Sequence, residues 1–426
     1  MKKTATLIVN FPLLIYFFSP VTIVGAILSN SFSKQFLHIR VFSLLNQPAS
    51  DCEGMSSVRT SNSISEKSAA RVIKSLKKLS KCDTESKIDW SQLHTYFNNK
   101  ISLSYKNWTA TSIWADEFRK IIGTPSDESF QEIFERVLID GNWYKAAVAA
   151  ECNAGIAACN QRPWIVLVTG LNGIRKTTSI HQPWFQDIIL KDALGHSFPL
   201  PAEYLPSGEN GFFRQLDYMI ATLANEDFRE LYQKASELSI AEYSREKDNI
   251  FKLYRTVAEI LGVLLIRSAQ QHQMNILVET SGRDIAMFDY IDHLFASGAS
   301  NYQKLVVHFT IDDIKYAEKS VDERMISEMK RGSNAVASRT GDLRTDTKAI
   351  VAVNAGGPYG SEVLPNVQAE SEIVWSKIRD DAESLRSDWL KASIRISGND
   401  DPGEWTARAI FPDGSESANV FKFEIQ

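Results

Sequence analysis

Residues 164–178 read WIVLVTGLNGIRKTT, from Trp164 to Thr178. The apolar run Ile165–Val168 is unbroken, as a central parallel strand requires when helices cover both its faces. It empties into a glycine turn that closes on Lys-Thr-Thr. Set against the pattern G-x-x-x-x-G-K-[ST], every defining position is met except one: Arg175 stands where the second glycine belongs.

Holding a phosphate needs several backbone N–H groups aimed at one anion, a helix N-terminus behind them, and a cation. Gly170, Asn172 and Gly173 can build the turn, because glycine allows close backbone approach and positive φ. Lys176 can reach the β- and γ-phosphates, and the Thr177 hydroxyl, beside Thr178, can ligate Mg²⁺. Arg175 divides the reading. If ordinary helical dihedrals suffice there, its amide still serves and its guanidinium is free to add a phosphate contact. If the position needs φ > 0, an arginine costs on the order of 1 kcal/mol or more. Pro183 should end or kink the following helix early. A ligand-free strand-to-helix turn is the competing reading; strand, Gly-x-x-Gly, Lys and Thr-Thr together favour a modified phosphate-binding loop.

Outward from this loop, strands alternate with helices. NILVE (275–279), KLVVHFT (304–310) and AIVAVN (349–354) read as strands. Residues 211–239 read as one or two helices, and 241–272 as the longest, with Ile250, Tyr254, Val257, Leu261, Leu264 and Leu265 along one stripe. A charged helix begins at IDDIKYAEK, and another runs from about Ala369 to Ala392. Strands separated by helices imply βαβ units and a parallel sheet. The expected fold is therefore α/β, a three-layer P-loop NTPase type with a central parallel sheet. A helical region precedes it, and the alternation around Pro412-Asp413-Gly414 adds a small C-terminal β appendage. The corresponding organisation is a targeting segment (1–50), a helical region (51–160), a nucleotide-binding domain (161–365), and a C-terminal helix with hairpin (366–426).

A chain of 426 residues exceeds one ordinary domain. Apolar residues make up 44% and charged residues 23%, a soluble globular balance. The net charge is −5, and no long basic stretch occurs, so a nucleic-acid partner is not expected. The N-terminus differs from the rest. No charge falls between Lys3 and Lys34, and LIVNFPLLIYFFSPVTIVGAIL leads to small residues at Val24-Gly25-Ala26, as in a secretory signal with a cleavage site. The run is also long enough for an uncleaved membrane anchor, the one circumstance that implies a membrane partner. The Ser-rich stretch behind it contains no acid before Asp51, a composition like the bipartite address of plastid proteins in algae with complex chloroplasts. Cys52, Cys82, Cys152 and Cys159 lack CxxC spacing, so zinc is not expected, and a Cys152–Cys159 disulfide competes with buried free thiols.

The segment MNILVETSGRD (274–284) ends an apolar strand on Glu279 and follows it with Arg283, placing an acid and an arginine over the carboxyl edge of the sheet, where open α/β folds bind ligands. The competing reading pairs the two with each other. The guanine clamp Asn-Lys-x-Asp of GTPases is missing. A polar stretch, KRGSNAVASRTGDLRTD, carries Arg331, Arg339 and Arg344 as candidates to stabilise transferred charge.

From Trp164 to about Arg344 these segments resemble the zeta-toxin group of P-loop kinases, in which a strand–Glu–Thr–Arg segment follows the phosphate loop and an arginine-bearing lid comes later. The resemblance implies an ATP- and Mg²⁺-dependent kinase; family members phosphorylate UDP-N-acetylglucosamine. Arg175 and the long insertion between loop and Glu279 depart from the pattern, so the reaction class carries over and the acceptor does not. The acceptor is left as a small metabolite or nucleotide-linked compound. Lys176 would hold the β- and γ-phosphates, and Thr177 with Glu279 would place Mg²⁺; Glu279 binding the acceptor is the alternative the resemblance implies. The family's base, an Asp at the end of the second strand, is best matched by Asp217, with Asp187 and Asp192 as rivals; a buried Asp217 paired to Arg214 is the structural alternative. Gly356-Gly357-Pro358 falls where such kinases receive adenine. Two further readings stay open: a nucleotide-binding regulatory or scaffold protein with a degenerate loop, and a P-loop ATPase.

Overall fold

The apolar run that opens the phosphate loop is strand β1 (Trp164–Gly170), buried along its whole length. It pairs in parallel with β3 (Asn275–Glu279) on one side and β4 (Gln303–Ile311) on the other. β2 (Gly211–Arg214) flanks β3, and β5 (Trp389–Ser397) flanks β4, again in parallel. Two antiparallel strands, β6 (Thr406–Ile410) and β7 (Phe421–Lys422), complete a seven-stranded sheet in the order β2-β3-β1-β4-β5-β6-β7. The computed structural model describes residues 54–80, 88–155, 162–185, 210–354, 356–380, 388–410 and 414–424. The candidate targeting segment, Asp187, Asp192 and the candidate Cys152–Cys159 bridge lie outside the described backbone or side chains. Among the described residues no helix is long and apolar enough to cross a membrane.

Side chains alternate across a strand, and β1 divides accordingly. Ile165 and Leu167 join one core, whereas Trp164, Val166 and Val168 join a second on the opposite face. The first core takes in an N-terminal layer: α1 (Gly54–Leu79), α2 (Trp90–Lys100), α3 (Trp108–Ile122), α4 (Glu128–Ile133), α5 (Glu135–Asp140) and α6 (Trp143–Gly155). The second lies behind α7 (Lys176–Ile180), which opens immediately after the loop. Glu53–Gln426 is one compact unit.

Parallel pairs need long crossovers, and helices supply them. Between β2 and β3 run α8 (Leu216–Leu223), α9 (Asn225–Lys234) and α10 (Ile240–Gln271). A capping box of Ser239 and Glu242 starts α10, and from Thr256 to Ile266 it is buried all round, packed in the first core with the N-terminal helices. α11 (Ala286–Leu294) links β3 to β4; α12 (Ile314–Ala337), α13 (Leu343–Val353) and α14 (Leu364–Asp380) link β4 to β5. Strands of an α/β layered sheet around a central strand–glycine loop–helix unit make this a P-loop NTPase-type fold.

Three elements differ from the sequence expectation. GFFR, read as helix, is β2; four residues are too few to display a period. AIVAVN, read as strand, is the second half of α13 with its C-cap Asn354: Asp342 caps the other end of that helix through the Thr345 N–H, and Ile350, Val351 and Val353 bury into the helical core. The helix expected up to Ala392 ends at Asp380, and β5 follows. There Ala392, Ile394 and Ile396 alternate with Ser393 and Arg395, and the ladders to β4 and β6 satisfy backbone groups of those strands that a helix in this position would leave unpaired.

Candidate phosphate-loop site

The carboxyl ends of β2 and β3 and the phosphate loop face a cavity of about 680 Å³. Gly170 and Gly173 both take positive φ, 131° and 85°. A Cβ on Gly170 would lie 2.4 Å from the Phe309 carbonyl oxygen, and one on Gly173 2.5 Å from that of Ala317. The loop is thus pressed onto β4 and α12 in a shape that only glycine permits. Arg175 follows with φ 63° and ψ 28°, left-handed, at the N-cap of α7. The site needs what glycine normally provides, and arginine adopts it. Its guanidinium does not reach the cavity, contrary to the expectation of a phosphate contact: it lies over the Trp405 ring, 4.5 Å from the centroid. As Pro183 foretells, α7 is short, ending at Ile180.

Lys176 is buried, its Nζ donating to the Leu171 carbonyl at 2.8 Å and lying 3.5 Å from Glu279 Oε1. Burial pulls its pKa down, and the Glu279 carboxylate opposes that. The Thr177 hydroxyl donates to Glu279 Oε2 at 2.6 Å. Glu279 therefore bonds across the loop rather than to Arg283. Thr178 is exposed on α7, and Asn172 lines the cavity, its side-chain nitrogen packed against Gly357. A hydroxyl and a carboxylate side by side are hard oxygen donors that fit Mg²⁺, which keeps waters and phosphate oxygens for its remaining positions. Among the described residues no group of three or more His, Cys, Asp and Glu side chains converges to hold a metal unaided.

Asp217 stands in the first turn of α8, three residues past the end of β2, and lines the same cavity. Its backbone carbonyl accepts from Asn354 Nδ2 at 3.0 Å. Burial pushes its carboxyl above the ordinary range, against the pull of Lys247 and Arg324. Arg214 is not its partner: it pairs with the buried Glu259, which Arg255 also holds at 2.6 Å. Arg283 lines the cavity with its guanidinium 4.7 Å from the Tyr359 ring centroid, Nη2 donating to Tyr359 Oη at 2.5 Å.

The three arginines expected from the polar stretch are elsewhere. Arg331 is exposed and donates to the Val353 carbonyl at 3.1 Å; Arg339 is exposed beyond the end of α12; Arg344 sits in the first turn of α13. None lines the cavity. The reason is helical rise: α12 continues to Ala337, so Arg331 lies about 10 Å along the axis from Arg324. Arg324 is the arginine that α12 delivers to the cavity. It packs against Gly356, and its Nη2, though buried, has no hydrogen-bond partner among the described residues. The sequence signal was its place three residues after Val321 and four before Glu328, on the buried face of α12.

Lys247 was also missed. Fully buried on α10, its Nζ donates to Glu328 Oε2 at 2.8 Å and to the Gly356 carbonyl at 2.7 Å. It thereby fixes the loop Gly356-Gly357-Pro358, which lines the cavity together with Tyr359. That loop follows a helix rather than the expected strand. Tyr105, Asp248, Lys252 and Arg255 complete the wall away from the phosphate loop.

No protein-family model matches the sequence, and a search of characterised proteins finds no match. Among solved structures the chain is similar to one from the PezAT chromosomal toxin-antitoxin system of Streptococcus pneumoniae, at a TM-score of 0.33 and 11% sequence identity, over 66% of this chain and 81% of that chain.

Proposed function

We propose that the protein is an ATP-dependent phosphotransferase acting on a small metabolite or nucleotide-linked acceptor. The observation that carries this is the bond from Thr177 to Glu279 beside buried Lys176, with Asp217 and Arg324 lining the same cavity. Phosphoryl transfer asks a protein chiefly for positioning and charge neutralisation. Loop amides and Lys176 would hold the β- and γ-phosphates. Thr177 and Glu279 would hold Mg²⁺, which when bound neutralises charge on the phosphate oxygens. Arg324 and Arg283 supply cations along the wall on which charge develops. Asp217 would take the proton of the acceptor hydroxyl as its oxygen bonds to the γ-phosphorus and the bond to the β-phosphate oxygen breaks, releasing ADP with the electron pair. The strand–Glu–Thr–Arg resemblance to zeta toxins implies the same reaction class, and the acceptor is left open.

The test is a thermal shift with Mg-ATP on the wild type and on Lys176→Ala, followed by transfer to a metabolite panel. A shift in the wild type that Lys176→Ala removes, with acceptor-dependent ADP release, supports the proposal. No shift in a folded wild type refutes it. Binding without turnover favours the regulatory reading, for which the left-handed Arg175 speaks; phosphate release to water alone favours an ATPase.

A further inference from the structure

The C-terminal region touches the phosphate loop at Arg175 and the chain just beyond α7 at Gln182 and Trp184. Trp405, directly before β6, is buried, and its indole N–H donates to the Asn399 carbonyl at 2.8 Å. Tyr316 of α12 packs edge-on against it, ring centroids 6.2 Å apart. The indole face is thereby fixed, and the Arg175 guanidinium lies on it. Arg175 Nε is buried without a hydrogen-bond partner among the described residues; the contacts that act on this guanidinium are the Trp405 ring and the attraction of the Glu323 carboxylate. Beyond α7, Gln182 exchanges two hydrogen bonds with the Glu424 backbone, at 3.2 and 2.7 Å. Trp184 stacks on Phe421 at 5.3 Å with an interplanar angle of 12°.

We propose that Arg175 is a positioning residue: stacked on Trp405, it holds the phosphate loop in its left-handed turn, and the C-terminal strands thereby set the loop's grip on nucleotide. This deepens the nucleotide-binding reading and rests on it. The physical argument is an offset. A left-handed non-glycine residue is strained, and a guanidinium on a desolvated indole recovers a comparable amount. A glycine in this position would need no such partner. An arginine needs one, and β6 brings it from more than two hundred residues away.

Mg-ATP dissociation constants of the full chain test this by calorimetry. Trp405→Leu keeps apolar volume without a π face and is expected to weaken binding roughly tenfold, the size of a desolvated cation–π contact. Trp405→Phe, which restores a ring, is expected to recover part of the loss. Adding Arg175→Gly to Trp405→Leu is expected to recover most of it, because glycine takes the turn unaided. Equal weakness in the single and double variants, or unchanged affinity in Trp405→Leu, overturns the proposal. If the wild type binds no Mg-ATP, the proposed function falls and with it the grip on nucleotide, while the strut is read from urea midpoints of the same four proteins together with Arg175→Gly alone, which completes the double-mutant cycle. There, non-additivity of Trp405→Leu and Arg175→Gly supports the strut, and additivity overturns it.

Discussion

Gly173 and Arg175 reach positive φ by opposite means, one through lack of a side chain and one through a partner. Gly173→Ala adds strain and a methyl 2.5 Å from the Ala317 carbonyl. It should lower stability by about 2 kcal/mol in urea unfolding and abolish Mg-ATP binding. Asp217 gives a pH prediction. Its carboxyl is raised by burial, and transfer requires it ionised, so the acidic limb of the rate profile should lie above the ordinary aspartate value of 3.8. Activity should fall as pH drops through that limb. Asp217→Asn should lose transfer while still binding Mg-ATP; an unchanged rate would remove Asp217 from the chemistry. At this scale the sequence pointed to the loop glycines, Lys176 and Thr177 through their spacing within one loop, and to Glu279 through its place at the end of the apolar strand NILVE. It did not say which side of the loop Arg175 faces, since that depends on Trp405.

At the scale of elements, the long helix α10 does more than cover the sheet. Its buried Lys247 ties α12, through Glu328, to the Gly356 loop, and Tyr243 Oη donates to the same Glu328 at 2.8 Å. A buried charge left without its partner is costly. Lys247→Met should therefore destabilise by about 3–5 kcal/mol, and Lys247→Met with Glu328→Gln should regain a large share. Denaturant midpoints of the single and double variants check this; an additive double variant would contradict it. The stripe on α10 was readable from its 3.6-residue period. The identity of α13 was not: Ala-Ile-Val-Ala-Val-Asn favours a strand by composition, and only packing in the helical core, with Asp342 at the cap, turned it into a helix.

Across the whole molecule, His308 joins the sheet to its outer layer. It sits in β4, shares a 2.8 Å hydrogen bond with Thr169 of β1, and stacks on Trp375 of α14 at 4.8 Å. Burial, with Lys176 and Arg379 nearby, pushes the imidazole down to about 3 from 6.5. The folded state keeps it neutral, whereas the unfolded chain protonates it below 6.5. Its contribution to stability is therefore complete above pH 6.5 and is lost as pH falls toward 3, by at most about 1.4 kcal/mol per pH unit. Urea midpoints between pH 7.5 and 4.5 should decline less steeply in His308→Phe; parallel curves would assign the acid sensitivity elsewhere.

By itself the sequence determined β1, the phosphate loop and β3 with its terminal Glu279, because strands buried on both faces write themselves as apolar runs whatever their neighbours. It also determined the α/β class, through the alternation of such runs with amphipathic helices. The tertiary structure alone decided the strands β2 and β5, the helical state of α13, the choice of Arg324 over Arg331, Arg339 and Arg344 as the arginine lining the cavity, and the seat of Arg175 on Trp405. Each of these is fixed by a partner distant in sequence, and neither local propensity nor spacing carries the free energy of a contact made across the fold.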